Sequence, residues 1–336
     1  MSRRTGGAIA AAASAPARLA AWLAARRGGP AWAAAWSLGA VLPLAFAPIF
    51  ALPVLVVAFT GLVWLMDGTR NARAAGALGW WFGFGQFLTG LLWIANAFAV
   101  RDGVTYGEGL VAVALLAAAL ALFPALALAL ARRFWVAGDR RVLLLAVAWA
   151  AGEWLRGHLF TGFPWNLAGH ALAFHPAALQ LAAYCGIYGL SLIALVIAMA
   201  PAAIVDAGAA RHRWRPALAG LAGFGLLLGF GFLRLALHGT AMVPDLALVI
   251  VQANIPQERK WEESQLRDHF HRHIEMSRAA LAQTDAPRAL VIWPETAIAY
   301  APERQFTTRY LISKALDRPG LVITGAPRYG TDEDGR

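Results

Sequence analysis

Charge, cysteine and lysine are what this sequence lacks. Only 14% of its 336 residues are charged, against about 25% in a typical soluble domain. With a mean hydropathy of +0.55, this excludes an ordinary soluble composition and places the chain in the membrane class. The single cysteine, Cys185, excludes an internal disulfide and any metal site built on paired cysteines. Its setting in AAYCGIYGLS reads as that of a small packing residue. Lys260 and Lys314 are the only lysines. The net charge of +10 suggests nucleic acid at first. However, many of the basic residues fall in short loops between apolar runs, where membrane topology accounts for them, and no nucleic-acid partner is expected.

What the sequence has in quantity is long apolar runs. A helix needs about 20 such residues to cross the hydrocarbon core, and seven segments qualify, at roughly 31–47, 49–66, 75–99, 108–131, 141–160, 177–205 and 216–237. Residues 1–30 read as a cytoplasmic lead-in, because Arg18, Arg26 and Arg27 interrupt the alanine-rich run before it becomes a signal-peptide core. With the N-terminus inside, the cytoplasmic segments carry 14 arginines and the outer loops two, Arg101 and Arg156. This is the bias that the positive-inside rule predicts. Seven crossings then place the distal part outside the cytoplasm, in the periplasm of a cell with two membranes. A soluble helical protein is the opposing reading, but segments this long would have no solvated face.

The rhythm changes near His238 to Pro244. Leu246–Gln252 and Ala289–Trp293 read as buried strands, closed by Asn254 and Pro256 and by Pro294. Leu321–Thr324 is a third. Residues 262–283 and 305–316 have helical spacing. Alternation of this kind gives an α/β layering. The fold class expected is therefore a polytopic α-helical membrane bundle of about seven helices, residues 31–238, followed by the first part of an α/β domain, residues 244–336.

Few residues could carry chemistry. Glu295 follows a strand directly, in VIWPETA, where α/β sheets place functional groups. Beside Trp293 and Pro294 it is expected to be partly desolvated, which suits a general base. The same position also suits an acid at the N-terminus of a helix over Thr296–Tyr300. Glu153 and Arg156 stand one helical turn apart at the edge of an apolar segment, where charges are usually paired or functional. An ion pair fixing the outer loop is expected, with contact to phospholipid headgroups as the alternative. His269, His271 and His273 put only two imidazoles on one helix face without supporting carboxylates, so a solvated face is expected and no metal.

Several segments resemble one family. The strand-WPE motif at Glu295 is similar to the glutamate motif of the nitrilase (carbon–nitrogen hydrolase) superfamily. LVIVQANIPQERKW (Leu248–Trp261) and LVITGAPRY (Leu321–Tyr329) resemble segments of apolipoprotein N-acyltransferases. So do LAFAPI (Leu44–Ile49), GFGQFLTGLLWI (Gly83–Ile94) and EWLRGHLFTGFPWNLAGH (Glu153–His170), in family order. The resemblance implies a periplasmic nitrilase-like sandwich domain and a multi-pass bacterial inner-membrane enzyme. It would transfer an acyl chain from a membrane phospholipid to the diacylglyceryl-cysteine amine of an apolipoprotein. The family uses a Glu-Lys-Cys triad and a thioester intermediate, with no cofactor, and a monomer is expected. Glu295 matches the glutamate; the lysine and cysteine follow the TGA segment in the family, beyond Arg336 here. Neither Lys260, Lys314 nor Cys185 fits those positions, so a fragment ending there would be inactive. Trp261 resembles a tryptophan at the mouth of the family's active site, although an amphipathic membrane-surface anchor is its other reading. Two further readings stay open: a membrane-tethered nitrilase-type amidase, and a non-catalytic membrane protein or transporter.

Overall fold

The computed structural model describes residues 14–99, 104–206, 214–239, 241–256, 259–295, 297–299, 302 and 304–326. The chain divides into two units, residues 1–239 and 240–336.

The first unit is helical. Its α-helices among the described residues are α1 (Ala15–Ala24), α2 (Gly29–Val41), α3 (Leu52–Asp67), α4 (Ala72–Gly90), α5 (Ala95–Ala99), α6 (Tyr106–Leu120), α7 (Leu122–Arg133), α8 (Arg140–His158), α9 (Pro176–Leu179), α10 (Ala182–Met199) and α11 (Arg215–Leu237). Helix α1 falls inside the stretch expected to be a lead-in; residues 1–13 lie outside the described ones. Among the described residues, three stretches are long and apolar enough to cross a membrane: Tyr106–Arg133, Ala182–Val205 and Arg215–Leu237. A fourth counts if Ala72–Gly90 and Leu92–Ala99, bent by 45°, form one broken span. The sequence predicts seven. The difference comes from segments that are too short or too polar: α3 has 16 residues, α2 has 13, and α8 carries Arg140, Arg141, Glu153 and Arg156. Apolar side chains cover the outside of the long helices, with Leu115, Leu122, Leu221 and Leu226 all exposed, as lipid-facing surfaces require.

Small residues bring these helices together. A Cβ on Gly39 of α2 would overlap the Phe82 carbonyl of α4, and one on Gly85 of α4 would overlap the Trp36 carbonyl of α2. Arg141 is buried and bridges Asp67 (3.2 Å) and Asp206 (2.6 Å), tying α3 and α8 to the end of the Ala200–Val205 turn. Cys185 is exposed rather than packed. The next residue, Gly186, has φ 64° and breaks α10.

The second unit holds β1 (Leu246–Ile250), α12 (Leu266–Leu281), β2 (Arg288–Ile292), α13 (Phe306–Ser313) and β3 (Gly320–Ile323). The strands form one parallel sheet in the order β1-β2-β3, with Leu248 opposite Leu290 and Leu290 opposite Leu321. Alternate residues Ala289, Val291 and Trp293 turn into a core that also contains Phe270, Ile274 and Leu281 of α12, the period-2 and period-3.6 faces meeting. Leu248, Ile250, Leu321 and Ile323 remain exposed on the opposite face.

Candidate functional site

The chemistry-bearing residues of the second unit gather at the C-terminal ends of β1 and β2. After Ile250 the chain leaves the sheet; its last ladder bond runs from Val251 N to Ile292 O (2.9 Å). Asn254 adopts φ 50°, a left-handed conformation that asparagine tolerates. A turn follows, in which Arg259 N donates to Pro256 O (3.1 Å) and Glu262 N to Arg259 O (3.3 Å). It carries Lys260 and Trp261. On β2 the corresponding last bond is Trp293 N to Ile323 O (2.9 Å), after which Pro294 and Glu295 run free of the ladder.

These segments and one face of α12 enclose a cavity of about 200 Å³. Glu295, Trp261, Lys260, Asn254, His269 and His273 line it. The structure thus brings Glu295 and Trp261 to one cavity. Trp261 is half exposed at its edge. Glu295 is also exposed, where the sequence predicts partial desolvation between Trp293 and Pro294. The inward series Ala289, Val291 and Trp293 ends where the chain leaves the ladder, so Glu295, two residues on, does not follow it inward. Trp293 continues the inward series of β2, is buried, and donates from Nε1 to Ser277 Oγ (2.9 Å), so its indole does not cover the carboxylate. Thr296 and Tyr300, the ends of the alternative helix, lie outside the described residues.

Sequence reasoning missed two features of this cavity. Lys260 Nζ donates to the backbone oxygen of Glu295 (3.4 Å) and stands 5.9 Å from the Trp261 ring. No periodicity signals a contact across 35 residues. His273, expected on a solvated face, is buried; His269 is half-buried, and only His271 is exposed. His273 belongs to the inward stripe Phe270, His273, Ile274, Ser277 and Leu281, a 3-4-7-11 spacing that was readable. Its Nδ1 lies 2.7 Å from the His269 carbonyl, which makes Nδ1 the protonated nitrogen of the neutral ring. Burial pushes its pKa below the ordinary value; the hydrogen bond with the His269 carbonyl offsets part of this, and the charges of His269, Arg272 and Lys260 add to the lowering. Among the described residues, no group of three His, Cys, Asp or Glu could hold a metal.

Glu153 and Arg156 lie in the helical unit and form a separate cluster. Both are buried. Among the described residues no ion pair joins them; the ion pairs present are those of Arg141 and of Arg318 with Asp317. Each holds backbone instead. Arg156 Nη1 donates to Phe163 O (2.6 Å) and Trp165 O (2.7 Å), with its guanidinium 4.9 Å over the Phe87 ring. Glu153 Oε1 accepts from Ala168 N (2.9 Å) and Trp149 Nε1 (3.2 Å). The loop after α8 is fixed, but by separate bonds rather than by the expected pair.

Comparison with known proteins covers both units. The sequence profile of the apolipoprotein N-acyltransferase N-terminal domain matches residues 38–200. An apolipoprotein N-acyltransferase of Rhodopseudomonas palustris is 39% identical over 300 residues, which are 86% of this chain and 56% of that protein. The one from Bradyrhizobium diazoefficiens is 36% identical over 299 residues, with the same shares. That of Brucella suis is 37% identical over 293 residues, 83% of this chain and 54% of that protein. The chain spans about half the length of the curated relatives it matches. On these matches, the chain belongs to the apolipoprotein N-acyltransferase family.

Proposed function

We propose that this chain is part of a membrane acyltransferase that moves an acyl chain from a phospholipid to the α-amino group of the diacylglyceryl-cysteine of an apolipoprotein. The observation that carries the reading is the meeting of Glu295 and Trp261 at one cavity at the ends of parallel strands. The family match over the helical unit supports it independently.

In this reading Glu295 is the general base of a Glu-Lys-Cys triad whose lysine and cysteine follow residue 336. Its carboxylate takes the thiol proton and the thiolate attacks the phospholipid ester carbonyl. The lysine stabilises the oxyanion, and the lysophospholipid leaves as the alcohol. The lipoprotein amine then attacks the thioester, forming the amide and restoring the thiol. Trp261 contacts substrate at the mouth. Glu153 and Arg156 act on substrate indirectly, by holding the loop that runs from Phe163 to Ala168. The helical unit crosses the bacterial inner membrane seven times, its shorter helices counting as spans. The N-terminus is cytoplasmic and residues 244–336 form the first part of a periplasmic nitrilase-like domain. The enzyme works as a monomer.

The test offers purified full-length protein a fluorescent phospholipid and a diacylated lipopeptide. Triacylated product is expected, and Glu295→Gln should slow it by roughly 10²- to 10⁴-fold, the usual contribution of a general base. Hydrolysis of a small amide without triacylated product would favour the tethered amidase instead.

A further inference from the structure

Lys260 is one of two lysines in a chain where arginine supplies the other 27 basic residues, and nothing in the proposed chemistry uses it. Its place is specific. It is half-buried, it lines the cavity beside Glu295 and Trp261, and its ammonium donates to the Glu295 carbonyl oxygen at 3.4 Å. It forms no ion pair with the Glu295 carboxylate among the described residues. The lysine therefore grips the backbone and leaves both carboxylate oxygens free to accept a proton. The gripped segment needs a tether. Past the bond from Trp293 N to Ile323 O, the Lys260 contact is the next hydrogen bond to backbone at 294–299 among the described residues. A base must be held to within about 0.5 Å to work, and a stretch without ladder bonds does not do that alone.

We propose that Lys260 is a positioning residue for Glu295, tying the segment that bears the carboxylate to the turn that bears Trp261, so that both groups face one cavity. An ammonium has three donors. One on the Glu295 carbonyl suffices for this role, and the compact head on a flexible stem reaches it from a neighbouring turn. The catalytic consequence rests on the acyl-transfer reading; the tether itself does not.

The test uses the full-length protein in detergent with Lys260→Met and Lys260→Arg. Cleavage after Glu295 by a glutamate-specific protease should quicken about 5-fold in Lys260→Met, the loss of one hydrogen bond worth about 1 kcal/mol. Cleavage after Glu275 in α12 should stay unchanged. The rate of acyl-enzyme formation should fall while KM for the phospholipid holds, and Lys260→Arg should restore both. Unchanged cleavage after Glu295 in Lys260→Met would overturn the proposal. So would faster cleavage with an unaltered rate, or a raised KM without faster cleavage, which would make Lys260 a substrate contact. If the wild-type protein transfers no acyl group, the acyltransferase reading fails, and the cleavage result still decides the tether.

Discussion

Replacing Ser277 with alanine tests how the Glu295 segment is anchored. Ser277 is fully buried on α12 and its hydroxyl does two things: it donates to His273 O (2.7 Å) and accepts from Trp293 Nε1 (2.9 Å). The His273 carbonyl lies inside α12 and keeps its intrahelical partner. The indole N–H does not keep its own. Trp293 is 3% exposed, so the orphaned donor cannot turn to water and should cost about 1–3 kcal/mol. In exchange terms that is roughly a 5- to 150-fold loss of protection, concentrated in residues 288–295, since Trp293 leads directly into Pro294 and Glu295. Mass-spectrometric hydrogen exchange on the detergent-solubilised protein measures it. The decisive control is a cycle with Trp293→Phe, which has no donor to orphan. In that background Ser277→Ala should cost almost nothing. Equal costs in the two backgrounds would refute the reasoning, because the loss would then come from packing.

Two other perturbations follow from the same structure. His273 is buried with a pKa held below the 6.5 of an ordinary imidazole. As the pH falls through 6.5 the unfolded chain gains a proton that the folded chain refuses. Stability is therefore complete above that pH and is lost below it, by up to about 1.4 kcal/mol per pH unit until the folded pKa is reached. Thermal unfolding between pH 8 and pH 5 should show this slope diminished in His273→Gln; equal slopes in both proteins would contradict it. In the helical unit, Gly39→Ala places a methyl against the Phe82 carbonyl of α4, which is backbone and cannot give way. Forcing α2 and α4 apart should cost about 1–3 kcal/mol, or roughly 2–12 °C in Tm. Gly29→Ala, with nothing within 4 Å, should leave Tm unchanged or raise it slightly, because alanine narrows the unfolded ensemble.

The sheet was legible because its strands are short β-branched and leucine runs closed by proline, and no helical spacing competes with them. Glu295 was legible for the same reason, as the carboxylate directly after such a run. The bundle was harder to read. A hydropathy window averages over a break, so it does not register the 45° bend at Leu91 or the join between α6 and α7 at Ala121. Nor does it register that the helices within the first two segments, α2 and α3, have 13 and 16 residues. In the run HFHRH the polar residue types mask the inward stripe on which His273 lies. Position 273 is three residues from Phe270 and four from Ser277; the spacing was the better guide, and residue type misled.

The buried charges of α8 show why pairing cannot be read from spacing. Glu153 and Arg156 are near enough along the helix to suggest an ion pair, and burial makes some compensation necessary. One carboxylate, however, leaves most of a guanidinium's five donors unmet. The loop after α8 has the complementary problem. The carbonyls of Phe163 and Trp165 lie outside any helix or strand and need donors. Arg156 meets both needs at 2.6 and 2.7 Å, and Glu153 does the same for the amide of Ala168 at 2.9 Å. A sequence identifies which charges fall within apolar runs. Which backbone groups are orphaned there depends on where the loop folds back, and those groups, more than the opposite charge three residues away, decide each partner.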